Sequence, residues 1–149
     1  MPVLLHCSAA ANRELLIALL KDNTAVLEAG LRAIDTNVTC APFGSMDLVA
    51  LGSLDQLSVV NVDTLQNDVS LLRGIAHVDW IVRNMPIVKR MYQGRAINFS
   101  IPPRLFLVAP GFSLLLQCVA QRILIPRISC FGYRTATMAA GLGIFFERT

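Results

Sequence analysis

The stretch "NVTCAPFGSMDLVALGSLDQLSVVNVD", residues 37–63, decides the fold of this chain. Three apolar runs follow one another with turns at 42–45 and 53–56, and such short loops cannot hold a crossover helix. The pattern therefore predicts a three-stranded antiparallel meander. Asn61 and Asp63 interrupt the last run, and their spacing of two places both side chains on the same face of the strand.

The residues on either side of the meander complete a mixed architecture. Apolar residues at helical spacing predict two helical pieces before residue 37, with Asn12 capping the first. After Asp63 the sequence predicts a helix, a short helix at Pro86, a strand, a helix capped by Ser113 and two final strands. The order αα-βββ-α-βα-ββ indicates an α/β or α+β class, with a single mixed β-sheet flanked by helices, and we expect one domain over residues 1–149.

The helix after Asp63 carries an apolar stripe at helical spacing. Its members are Leu65, Val69, Leu72 and Ala76.

Composition excludes a disordered chain and leaves two uses for the apolar excess. Hydrophobic residues make up 54% and charged residues 15%, which indicates extensive burial or an oligomer interface. The net charge of +3 comes from 11 arginines and 2 lysines, and arginine favours bidentate contacts with phosphate. The arginines late in the chain alternate with aromatic residues, as in a phosphate-binding face; the alternative is that they lie at solvated ends of strands and helices.

Several other functional classes lack their sequence signatures. The four cysteines are widely separated with no CxxC pair, so we expect buried free thiols and not a zinc site. The first residues lack the basic region of a secretory signal, and the apolar window 105–125 is interrupted by "APGFS" and polar residues. We therefore expect a cytoplasmic protein with no membrane span.

Four segments together resemble the PD-(D/E)XK nuclease superfamily, particularly its small recombinase-type and archaeal-style endonuclease domains. "GSMDLVAL" is similar to the strand that carries the family's Asp, here Asp47, and "LDQLSVVNVD" is similar to the Glu-x-Lys strand. "LLRGIAHVDWI" resembles the helix that follows, and "PPRLFLVAPGFS" the next strand and turn. The resemblance covers most of residues 12–135 and implies a restriction-endonuclease-like fold.

The resemblance also implies an altered active site. Asn61 stands where the family has a metal-binding Glu, and Asp63 stands where it has Lys. In the family, Asp and Glu oxygens hold Mg²⁺ while Lys stabilises charge; an amide brings no charge and Asp63 replaces a cation by an anion. No lysine is expected nearby, and Arg73 cannot act as a base. We therefore expect an inactive domain with no cofactor, in which Glu14, Asp47, Asn61 and Asp63 are vestigial.

A rebuilt metal site is the alternative for these positions. Glu14, Asp47 and Asp63 would offer three carboxylates to Mg²⁺ if the fold brought them together. Otherwise Glu14 is a solvated residue of the first helical turn, Asp47 binds a turn, and Asp63 caps the helix that begins near Leu65.

The helix after Asp63 also offers candidate nucleic-acid contacts. Arg73, His77 and Trp80 share one face at i, i+4 and i+7, suited to phosphate contact and base stacking, with help from Arg104 or Arg134. In the alternative, Trp80 packs in the core and the other two reach solvent.

Three functional hypotheses result from these residues. The first is an inactive nuclease-fold domain that binds DNA or RNA or serves in assembly, the second a homo-oligomeric interaction protein, and the third a divergent Mg²⁺-dependent nuclease.

Overall fold

One mixed sheet dominates the computed structural model, which describes residues 3–7 and 12–149, with side chains from residue 12 onward. Within these residues seven strands pair in the order β1-β7-β6-β5-β4-β3-β2. The strands are β1 (Val3–Cys7), β2 (Arg32–Thr39), β3 (Ser45–Leu51), β4 (Leu57–Val62), β5 (Arg104–Ala109), β6 (Ile128–Met138) and β7 (Gly141–Arg148). The helices are α1 (Arg13–Asp22), α2 (Val69–Arg83), α3 (Met85–Met91) and α4 (Leu114–Arg122), with a 3-10 turn at Thr24–Val26.

The pairing of the strands follows from the lengths of their connections. Strands β2, β3 and β4 form the predicted antiparallel meander across short turns. Strands β4, β5 and β6 run parallel because α2, α3 and α4 cross between them, whereas β6 and β7 form the predicted hairpin. Helix α1 packs on one face of the sheet and α2, α3 and α4 on the other, which confirms the predicted class.

Local signals located most helix boundaries correctly. Asn12 Oδ1 accepts from the Leu15 amide at 2.8 Å, and Ser113 Oγ accepts from the Leu116 amide at 3.0 Å, so both predicted caps are confirmed. A separate α3 with Pro86 in its first turn is also confirmed. Among the helices of the described residues, none is both long enough and apolar enough to cross a membrane.

The beginning of the chain differs from the prediction of two opening helices. Strand β1 precedes α1, and the second helical piece is reduced to the 3-10 turn Thr24–Val26. Strand β2 also begins at Arg32, five residues earlier than predicted. Strand β1 pairs only with β7, Val3 opposite Phe146, so no neighbouring segment of sequence signals its presence.

Helix α2 turns a different face to the sheet than its strongest apolar stripe indicates. Leu65, Val69 and Leu72 are 75%, 52% and 67% exposed. The residues of α2 that are buried are Ser70, Leu71, Gly74, His77, Val78 and Ile81. Gly74 explains this orientation, because a Cβ there would lie 2.7 Å from Leu105 Cδ2 and would push the helix away from the sheet.

Candidate functional site at the ends of β3 and β4

Asp47 on β3 and Asn61 on β4 are hydrogen-bonded neighbours. The antiparallel register sets Leu48 opposite Val60, which brings Asp47 beside Asn61. The Asp47 amide donates to Asn61 Oδ1 at 3.2 Å, and the Val62 amide donates to Asp47 Oδ2 at 2.7 Å. Asp47 and Asn61 are each only 6% exposed, so these hydrogen bonds are largely shielded from water.

Arg13 occupies the other oxygen of Asp47. From the first turn of α1, its guanidinium donates to Asp47 Oδ1, and its Nε donates to the Val62 carbonyl at 3.3 Å. Burial raises the pKa of Asp47, although the Val62 amide and the charge of Arg13 pull it downward. Both oxygens of the carboxylate are therefore held by groups of the protein itself.

Asn61 connects this carboxylate to a buried histidine of α2. Asn61 Nδ2 lies 2.9 Å from His77 Nδ1, and His77 Nε2 lies 2.7 Å from the Phe43 carbonyl oxygen. A carbonyl only accepts, so the contacts assign the proton to Nε2 and leave Nδ1 to accept from the Asn61 amide. The Asn61 side chain accepts from the Asp47 amide through Oδ1 and donates to His77 through Nδ2. An ionised Glu could accept but has no hydrogen to donate. This dual role explains the polar residue within β4.

Asp63 follows β4 and contacts the same helix one turn earlier. Its carboxylate lies 3.6 Å from an Arg73 guanidinium nitrogen, and its own amide donates to the Val108 carbonyl at 2.8 Å. Asn61 and Asp63 thus both reach α2, which confirms that they share one side of the strand. The alternative in which Asp63 caps the helix is wrong, because α2 begins at Val69 with Asp68 as its N-cap residue.

The carboxylates predicted for a rebuilt metal site are only partly brought together. Glu14 and Asp47 line one cleft, but among residues 12–149 no three His, Cys, Asp or Glu side chains lie together in a way that could hold a metal ion. Mg²⁺ takes carboxylate oxygens and water, but here Arg13 and the Val62 amide occupy the Asp47 oxygens. The donors present at the motif positions therefore do not fit Mg²⁺.

A cleft of about 400 Å³ opens between α1 and the meander beside Asp47. Residues lining it include Arg13, Glu14, Lys21, Asn37 and Asp47. No lysine was expected near Asp47 and Asp63, yet Lys21 shares this cleft with Asp47. The helical spacing of residues 14, 17, 18 and 21 along α1 was the signal that could have revealed it.

The two strand arginines lie at opposite ends of the sheet. Arg104 is level with Ser58 at the start of β4, and its guanidinium binds Glu28 through two bonds of 2.8 and 2.7 Å. Arg104 therefore lies away from Arg73 and His77, which it was predicted to help in contacting nucleic acid. Arg134 lies on β6 two residues beyond Gly132, which pairs with Ala109, so it does lie at the Asp63 end. It is exposed and 3.6 Å from Glu147.

Of the three α2 residues predicted to share a binding face, only Arg73 remains accessible to phosphate. His77 is fully buried with both ring nitrogens bound, so neither phosphate contact nor the predicted solvent exposure is compatible with its position. Trp80 is partly buried and packs against the core, as its alternative predicted.

The prediction of buried free thiols holds for two of the three cysteines whose side chains the structure describes. Cys40 and Cys130 are free and buried as expected, whereas Cys118 on α4 is free but exposed. Cys7 lies in β1, and its side chain is outside the described residues.

Comparison with known proteins identifies the fold. No protein-family model matches the sequence, and no curated protein sequence matches it significantly. The structure is similar to EndoMS in its apo form over 77% of the chain, with a TM-score of 0.52 and 13% identity. A repair endonuclease from Pyrococcus abyssi aligns over 78% with a TM-score of 0.49 and 18% identity. SfsA from Pyrococcus furiosus, in complex with Ca²⁺, aligns over 96% with a TM-score of 0.49 and 10% identity.

The chain therefore has a restriction-endonuclease-like fold. The chain spans 44% of the EndoMS chain, 46% of the repair endonuclease and 74% of SfsA.

Proposed function

We propose that this chain is a nuclease-fold domain that does not cut nucleic acid and that functions by binding. The observation that carries the proposal is the closed hydrogen-bond network at the motif positions. Arg13 and the Val62 amide hold Asp47, and Asn61 replaces the family's Glu while bonding to His77.

Releasing these groups for metal-dependent chemistry would be unfavourable. A metal that took both Asp47 oxygens would displace Arg13 and the Val62 amide, and leaving such a buried amide unpaired costs about 1–3 kcal/mol. Asp63 adds a negative charge where the family has a lysine, so it opposes an approaching phosphate.

Nucleic acid is the first partner that the charges support. Arg73 and Arg134 both lie at the Asp63 end of the sheet, are accessible, and have only loose 3.6 Å carboxylate contacts. Exchanging such carboxylates for phosphate oxygens releases counterions from the nucleic acid, which favours binding at low salt. We propose these two arginines as phosphate contacts, with duplex DNA tested first and RNA second.

Cleavage and binding can be tested with one set of oligonucleotides. We expect no cleavage with Mg²⁺, and retention of duplex DNA or RNA that weakens as salt rises. Arg73→Gln and Arg134→Gln should each weaken binding several-fold and lower the salt slope by about one, as expected for one lost phosphate contact. Arg32→Gln is the matched control, because Arg32 is half exposed, pairs with Asp55 and lies at the opposite end of the sheet.

Two outcomes would contradict the proposal in different ways. Mg²⁺-dependent cutting that disappears in Asp47→Asn would show an active nuclease. Failure to retain either polymer at low salt would remove the nucleic-acid role.

A homo-oligomeric interaction protein is the second candidate function. The exposed apolar stripe of α2 favours it, since large exposed apolar patches mark interaction surfaces.

A further inference from the structure

Six exposed apolar residues form one surface on the helical side of the sheet. We call this surface the α2–α4 apolar face; its members are Phe43, Leu65, Val69, Leu72, Leu114 and Leu115, each between 48% and 79% exposed. Isolated exposed apolar side chains need no explanation, whereas a contiguous group indicates a binding surface.

Two contacts connect four members of the α2–α4 apolar face, Phe43, Val69, Leu72 and Leu114. Phe43, Val69 and Leu72 line the same open groove. Ser113 Oγ donates to Asp68 Oδ1 at 2.6 Å, which fixes the start of α4 beside the start of α2. The residues that follow these two in the chain, Leu114 and Val69, belong to the face.

The orientation of α2 gives the face its composition. Gly74 and His77 point to the sheet because of the close approach to Leu105 and the bond to Asn61. Helix α2 cannot rotate to bury Leu72 without breaking both arrangements. The apolar stripe that includes Val69 and Leu72 therefore stays outside the core of this chain.

The exposed apolar area of the face fits a second copy of the chain. Its six side chains expose roughly 400–500 Å² of apolar surface. A standard interface buries about 800 Å² per partner, of which about 65% is apolar in homodimers, or about 500 Å². At its borders the carboxylates of Asp63 and Asp79 pair with Arg73 and Arg83. The exposed Asp68, whose Oδ1 accepts from Ser113, adds a carboxylate at the start of α2, so the face and its border carry no excess of positive charge and do not suit an anionic membrane.

We propose that the α2–α4 apolar face binds the same face of a second copy about a two-fold axis. This rests on the homo-oligomer function proposed above and names its surface. A two-fold interface uses one self-complementary patch twice, so a leucine-rich face can bury its side chains against its own image.

Sedimentation over a range of protein concentrations tests the proposal. We expect a monomer–dimer equilibrium for the unmodified chain. Leu72→Asp and Leu115→Asp should each weaken it by about 100-fold or more, because each change removes two buried leucines per dimer. Leu54→Asp is the matched control: Leu54 is 64% exposed but lies in the β3–β4 turn, at the other end of β4, and its dimer should be unchanged.

The possible failures are distinguishable. A chain that stays monomeric at every concentration overturns both this surface and the homo-oligomer function. A dimer that survives both aspartate substitutions overturns this surface alone and leaves the homo-oligomer function standing. Equal thermal unfolding midpoints for Leu72→Asp, Leu115→Asp and Leu54→Asp, measured at a dilution where all are monomeric, confirm that the variants fold.

Discussion

Two arginine–carboxylate pairs at opposite ends of the central strands have reversed patterns of burial. In the Arg13–Asp47 pair the side chains are 52% and 7% exposed, so the carboxylate is buried and the arginine is not. In the Arg104–Glu28 pair they are 12% and 37% exposed, so the arginine is the buried member. Burial raises the pKa of Asp47, whereas the hydrogen bonds from Arg104 lower the pKa of Glu28. An arginine partner alone therefore does not decide whether a carboxylate favours its charge.

The two arginine–carboxylate pairs also have different structural roles. The Arg104–Glu28 pair is a clamp between β5 and the segment after α1, and the Arg104 guanidinium also lies 5.1 Å from the centre of the Phe106 ring. In the Arg13–Asp47 pair, the buried carboxylate is held by the Arg13 guanidinium and the Val62 amide, beside the Asn61–His77 contact. The stability of this end therefore depends on complete hydrogen bonding.

His77→Leu should have the largest effect, because it breaks the network at the buried end. It leaves the Phe43 carbonyl and the Asn61 amide without partners, and each loss costs about 1–3 kcal/mol. We expect the free energy of unfolding in urea to fall by about 3 kcal/mol. The control is Arg83→Leu on the same helix, exposed and paired only with Asp79, which should change it by less than about 0.5 kcal/mol. A loss below about 1 kcal/mol for His77→Leu would show that the network contributes little.

Arg13→Met and Arg104→Met test the reversed burial directly. We expect Arg13→Met to destabilise the protein more at pH 7, by about 1–3 kcal/mol, although Arg13 is the more exposed arginine. Its loss leaves the buried Asp47 carboxylate without a cation, whereas Glu28 without Arg104 can be hydrated. Urea unfolding at pH 7 measures the free energy of unfolding of both variants. The difference between their losses of stability should become smaller near pH 4, as Asp47 becomes protonated. A larger loss for Arg104→Met at pH 7 would show that burial of the arginine itself decides the cost.

The meander and the motif positions could be predicted because their determinants are local. Short turns fix the antiparallel register of β2, β3 and β4, and this register alone brings Asp47 beside Asn61. The shared side of Asn61 and Asp63 follows from the two-residue period of a strand.

The partners of these residues could not be predicted because they depend on how helices are oriented. Helix α2 has two apolar stripes, and periodicity does not reveal that Gly74 must contact Leu105. With the wrong stripe inside, His77 was assigned to a surface it does not reach. Arg13 was missed for a similar reason, since nothing within α1 indicates that its first turn lies over Asp47.

The smallest expected effect concerns the pH dependence of stability. As pH rises, the contribution of Asp47 to the free energy of unfolding should fall and that of Glu28 should grow. Because the pKa of Asp47 is raised from its ordinary 3.8, the folded chain keeps this proton to higher pH than the unfolded chain. Its contribution to stability is therefore complete below 3.8 and is lost as pH rises through the folded pKa. The pKa of Glu28 is lowered from 4.5, so its contribution is present above 4.5 and is lost as pH falls through the folded pKa. The measurement is the free energy of unfolding from about pH 3 to about pH 6 for the unmodified chain and the variants. The stability of the unmodified chain minus that of Asp47→Asn should decrease as pH rises, whereas its stability minus that of Glu28→Gln should increase. Slopes of the same sign would mean that Arg13 outweighs burial at Asp47, and that the two ends of the sheet hold their carboxylates in the same way.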